Sequence, residues 1–182
     1  MPDDENLRIL LARYPRAQWW EHENIHGLSG HWLEIHNSFR EAGKILAGGI
    51  ADYREGRKSA PDFARWFTPR LNRLLGHLDT HHRIEDDIYF PKFVEAEKRL
   101  TRGFDILEGD HHQIHAALES NAEAANAFLR ALQENEDKQR FAADNYAMEN
   151  EKLVAMLTRH LDDEEDLIVP LILDRGDRTF GH

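Results

Sequence analysis

Apolar side chains recur three and four positions apart through most of the chain, and no run alternates with the period of two that a half-buried strand needs. The pattern predicts four long helices. The first runs over 29–55, with Leu33, His36, Phe39, Gly43 and Leu46 on one face and a weak point at Gly48-Gly49. Ser59 is placed to cap a second helix and Pro61 sits near its first position. That helix carries Phe63, Phe67, Leu71, Leu74, Leu78, His81, Glu85 and Ile88 until Pro91 ends or kinks it. A short helical piece reaches Leu100, and Gly103 breaks it. The third helix spans 104–133 with Leu107, His111, His115 and Leu118 aligned. The fourth spans 138–168 with Tyr146, Leu153, Leu157, His160, Glu164 and Leu167, and Pro170 stops it. Residues 1–28 read as an irregular arm, 29–173 as one all-α domain, and 174–182 as a frayed charged tail. Long helices with short links pack most economically as an antiparallel up-down four-helix bundle.

The halves of this pattern repeat. A shift of 79 positions lays His36 on His115, His81 on His160, Glu85 on Glu164 and Pro91 on Pro170, with Leu74 on Leu153 and Leu78 on Leu157 in support. Each half is one helical hairpin bearing a histidine on its first helix and H-x-x-x-E on its second. Residues four apart stand about 40° apart around a helix and about 6 Å along it, so both side chains reach one small volume. Two such hairpins aim four histidines and two glutamates inward at one level. Burying so many polar groups is costly unless something satisfies them, and a pair of divalent cations does so. The repeat breaks at His111, one turn before His115, where the first half has Trp32. His111, His115 and His160 then serve one cation, and His36 and His81 the other, with Glu85 and Glu164 as bridges. The poorer cation is one ligand short beside Trp32, which shapes a pocket suited to a small molecule.

Composition narrows the chemistry. The 182 residues hold no cysteine, which excludes thiolate zinc sites, iron–sulfur clusters and disulfide frameworks and fits a reducing cytoplasm. Imidazole and carboxylate without thiolate suit iron or manganese, and zinc also accepts them. The formal charge of −11 argues against nucleic acid as a partner. No stretch approaches the roughly 20 apolar residues of a membrane span, and the first residues do not read as a secretory signal.

Several of the 12 histidines lie outside this scheme. His77, one turn before His81, is either a sixth imidazole on the poorer cation or a group that orients a ligand. His82 and His112 adjoin ligands and turn about 100° away from them, which gives them a surface or interhelical polar role. Asp86 and Glu165, following the two glutamates, meet solvent or brace a ligand. His22, His26 and His31 lack a matching carboxylate hairpin, and His182 is terminal.

HHRIEDDIYFP and HLDDEEDLIVP, each preceded by a histidine one hairpin earlier, resemble the paired signatures of hemerythrin-like HHE domains, over roughly residues 29–172. The resemblance implies a non-haem diiron centre bridged by two carboxylates and an oxo or hydroxo group, with five histidines and two carboxylates at the positions named above. The oxygen carriers of that family have an aspartate at plus five where this chain has Glu164 at plus four, so other family members are the better guide. A ferritin-like centre does not fit, since it needs E-x-x-H on two helices. The first functional expectation is a protein that binds dioxygen or a related diatomic for sensing, storage or delivery, with any protein partner unknown. The alternatives are an enzyme acting on peroxide, nitric oxide or ferrous iron, and a metal site that only stabilises the bundle.

Overall fold

The computed structural model describes residues 5–181, and among these every regular element is helical. Six α-helices follow in order: α1 (Glu5–Arg13), α2 (Leu28–Arg54), α3 (Ala60–Ile84), α4 (Phe90–Ala96), α5 (Thr101–Ala131) and α6 (Glu136–Arg175). The architecture is the all-α helical bundle predicted, with α2, α3, α5 and α6 as its long members. Ser59 caps α3 as foreseen, its hydroxyl accepting from the Asp62 amide at 3.3 Å.

Two compact units divide the chain: 5–38, 81–111 and 159–181 form the described part of the first, and 39–80 with 112–158 form the second. In the first unit, Trp32, Phe90, Phe93, Phe104, Leu107, Leu167 and Leu171 make the main cluster. The second unit is built on an aromatic stack in which Phe63 lies on Phe67 at 4.8 Å and Phe67 meets Tyr146 edge-on at 5.1 Å. Tyr146 is thus a core residue, its hydroxyl within 3.4 Å of Asn121 and Asn150. Gly48-Gly49 does not interrupt α2; a Cβ on Gly49 would collide with the Trp66 ring, so the glycine admits that indole.

Four expectations are corrected in the first unit. The arm is not irregular: α1 and two 3-10 turns, Arg16–Glu21 and Glu23–His26, order it, and Leu7 and Leu10 are buried in the main cluster. Residues 1–4 of that arm, and His182, lie outside the described residues. The tail is not frayed, because a turn at Asp177–Phe180 buries Phe180, and Asp177 accepts from the Leu28 amide at 3.0 Å, capping α2 from far along the chain. Gly103 sits inside α5, where a Cβ would press on Leu167. Pro170 does not stop α6. An interior proline costs a helix about 3 kcal/mol, but Leu167, Ile168, Val169, Leu171, Ile172 and Leu173 are all buried around it and hold the segment helical.

Pro91 acts differently. Before it, Glu85–Tyr89 widens into a π-helical turn, with the Phe90 amide bonded five residues back to the Glu85 carbonyl. Helix then continues through Pro91 as α4. The wide turn begins at Glu85, one of the glutamates the repeat singles out, and such turns recur at functional sites.

Candidate metal centre

Six of the predicted side chains converge within the first unit: His36 from α2, His81 from α3, Glu85 at the start of the π-turn, His111 from α5, and His160 and Glu164 one turn apart on α6. Their ring Nε2 atoms point at the two carboxylates. His81 Nε2 is 2.8 Å from Glu85 Oε1, and His36 Nε2 is 3.5 Å from Glu164 Oε1. On the other side His111 Nε2 is 3.5 Å from Glu85 Oε2, and His160 Nε2 is 3.2 Å from Glu164 Oε2. Each carboxylate therefore turns one oxygen to the His36–His81 pair and the other to the His111–His160 pair.

Outward-facing ring nitrogens meet a second circle of carboxylates. His36 Nδ1 lies 3.1 Å from Glu165, His111 Nδ1 lies 2.8 Å from Asp86, and His160 Nδ1 faces Asp110 at 3.8 Å. Glu165 and Asp86, hydrogen-bonded to Nδ1, hold their imidazoles with the Nε2 lone pair facing inward, the form that binds a cation, whereas His160 Nδ1 makes no hydrogen bond and has Asp110 only as a nearby charge. Asp86 and Glu165 thus brace histidines, as one of their two readings had it. Asp110 was missed, since an acidic residue beside His111 carries no periodic signal.

Trp32 is buried between the site and the aromatic core. Its indole N–H donates to Glu164 Oε1 at 2.6 Å, and its ring meets Tyr89 edge-on at 5.1 Å and lies 6.2 Å from the His81 ring. The sequence suggested a wall of a pocket; the bond to Glu164 comes only from the fold.

Electrostatics favour a cation. Burial would lower His36, yet Glu164, with Glu165 and Glu85, raises it well above the ordinary imidazole value. Burial likewise opposes charge on His160, but Asp110 and Glu164 carry it up to about 9. Burial would raise Glu164, but His36 and His160 hold it well below the usual carboxylate range. Glu85 Oε1 and Oε2, Glu164 Oε2 and His82 Nε2 are buried and make no hydrogen bond. Carboxylate oxygens buried against imidazole nitrogens without a formed hydrogen bond are costly without a cation, and the donor set fits one.

The remaining histidines fall differently from expectation. His82 turns inward: it is 5% exposed, its ring stacks on His111 with centroids 4.1 Å apart, and burial, with His111 and His160 beside it, lowers it to about 2. Among the described residues, donor atoms of His82, His111 and His160 lie within 4.8 Å of one another, as do those of His36, His81, Glu85 and Glu164. His115 does not join either group. Its side chain is 56% exposed, with Asp79 at 3.5 Å and Glu119 at 3.6 Å. The buried seam of α5 passes from His111 to Ile114 and Leu118, which leaves His115 one residue, about 100°, off it. His77 and His112 are exposed and stand in neither group. His22 caps the turn after it, accepting from the Asn24 amide, while His26 and His31 are exposed.

One signal for His82 was present in the sequence. Glu85 is three residues after His82 and four after His81, so it lies angularly between them. The repeat also sets His82 against Leu161, which is fully buried.

The hemerythrin HHE cation binding domain matches residues 27–172. No curated protein and no solved structure gives a significant match. The matched span contains every residue of both groups, and covers most of the chain: the chain belongs to the hemerythrin HHE cation-binding domain family.

Proposed function

We propose that the chain is a non-haem diiron protein that binds dioxygen or a related small diatomic for sensing, storage or delivery. The observation that carries this reading is the division of Glu85 and Glu164, each with one oxygen toward each histidine group. His36 and His81 with one oxygen of each glutamate would hold one iron, and His111 and His160 with the other oxygens would hold its neighbour. Bound iron supplies redox-active affinity for small oxidants; manganese or zinc would occupy the same donors without the same reactivity. An oxo or hydroxo bridge between the irons belongs to this reading.

Access favours the His36–His81 side. The His81 side chain is 11% exposed, against 0% for His36 and His160 and 4% for His111. Trp32, Tyr89 and Phe93 wall that side with aromatic surface, which excludes water from a small apolar guest. The strongly acidic composition speaks against nucleic acid, and the lack of cysteine suits the cytoplasm. No described helix is long and apolar enough to cross a membrane.

A second reading is an enzyme that consumes peroxide or nitric oxide or oxidises ferrous iron. It is favoured by Trp32 and Tyr89, two adjoining redox-capable rings that lead from Glu164 to a half-buried position. Stopped-flow spectra of the reduced, iron-loaded protein mixed with dioxygen, nitric oxide and peroxide separate the two. A charge-transfer band that reverses when the gas is removed supports binding, and repeated turnover supports the enzyme. No reaction with any of the three leaves only a stabilising metal site.

A further inference from the structure

We infer that His82, and not His115, supplies the third imidazole to the cation held by His111 and His160. The inference rests on the dinuclear reading above and changes its ligand set. His82 Nε2 is buried and makes no hydrogen bond, and a ring nitrogen of His82 lies within 4.8 Å of donor atoms of His111 and His160. Stacking on His111 accounts for the position of the ring but not for a buried nitrogen without a partner. An imidazole so placed costs free energy that a leucine would not, and the equivalent position in the other hairpin is a fully buried leucine, Leu161. A cation at that nitrogen removes the cost.

The local geometry explains how two adjacent histidines serve two cations. Glu85 stands between His81 and His82 around the helix, and its two oxygens face different groups. His81 follows Oε1 toward His36, while His82 follows Oε2 toward His111 and His160. His115 has none of these features: it is more than half exposed and already faces Asp79 and Glu119. The imidazoles are therefore three on one cation (His82, His111, His160) and two on the other (His36, His81). The ligand-short cation is the one beside Trp32, so the small guest meets iron there.

Anaerobic loading of the full chain with ferrous iron, followed by metal analysis, tests the assignment. The unaltered protein should retain two irons per chain, His115→Ala should also retain two, and His82→Ala should fall to one. Two irons retained by His82→Ala, or one by His115→Ala, would overturn it. Because His82→Ala opens a hole in the core, circular dichroism must first show native helicity. If the variant fails to fold, diethyl pyrocarbonate labelling of the unaltered protein decides. His115 should react at the same rate with and without iron, and its protection by iron would overturn the assignment. An unaltered protein that binds no iron would instead sink the dinuclear reading itself, and the inference with it.

Discussion

Trp32 is joined to the site by a single bond, its indole N–H donating to Glu164 Oε1 inside the core. Hydrogen bonds to buried charged groups contribute about 1.5–3 kcal/mol, and losing a group that braces a metal ligand typically lowers metal affinity about 10–100-fold. Trp32→Phe keeps most of the packing and removes the donor. We expect two irons still to bind, with about tenfold weaker retention in a chelator competition, and a changed rate of reaction with dioxygen. Complete loss of iron would show that Trp32 does more than position Glu164. The charges of the site give a second prediction. His160 is raised from an ordinary 6.5 to about 9 in the metal-free fold, and His36 is raised in the same direction. A raised value means stability that is present below the unfolded value and is lost as pH rises through the folded one. Melting temperatures of the metal-free protein should therefore decline from neutral pH to beyond about 9. Glu164, held low, adds a second loss on acidification below its ordinary 4.5. Iron loading should release protons and should abolish the alkaline decline.

Among the elements, the 3-10 turn Arg16–Glu21 has an effect that its position outside the matched family span does not suggest. Arg16 Nη1 lies 3.1 Å from Glu165 Oε2, and its Nη2 donates to the Asp162 carbonyl at 2.6 Å. The other oxygen of Glu165 faces His36 Nδ1 at 3.1 Å. The N-terminal segment thereby holds the carboxylate that orients a site histidine. Arg16 is itself about two-fifths exposed, so its contribution is screened by solvent. Glu165→Gln should weaken iron retention by about 10–100-fold, and Arg16→Ala by less. Equal effects, or a larger one from Arg16→Ala, would show that the turn acts by another route. The helix ends teach a related lesson. Pro170 and Gly103 read as breaks because local backbone preference is against helix there, and both are overruled by side chains packed from elsewhere in the chain. The turn that widens before Pro91 was legible only as a kink.

For the whole molecule, the two units separate chemistry from scaffold. All the grouped histidines and glutamates belong to the first unit, and the stacked Phe63, Phe67, Phe128 and Tyr146 belong to the second. Removing bound metal with a chelator should raise amide hydrogen exchange in 28–38, 81–111 and 159–175 and leave 60–80 and 112–131 nearly unchanged. Uniform deprotection of both sets would mean that metal stabilises the entire fold instead. Much of this organisation could be read from spacing alone. His36, His81, Glu85, His160 and Glu164 were found because the distance between helical turns is a local property of the backbone. Two hairpins that repeat it must bring their histidines to corresponding places. The helical class and the division into long elements followed from the same periodicity. Tertiary structure decided which of several adjacent polar side chains face inward. His82 and His115 each stand within about 100° of an inward position, and only the rotation of α3 and α5 about their own axes, set by packing against all their neighbours, buries one and exposes the other. The bond from Trp32 to Glu164, the carboxylates behind the rings and the cap that Asp177 lends to α2 join residues more than a hundred positions apart, or on different helices. No local rule specifies them, because they exist only once the helices have packed.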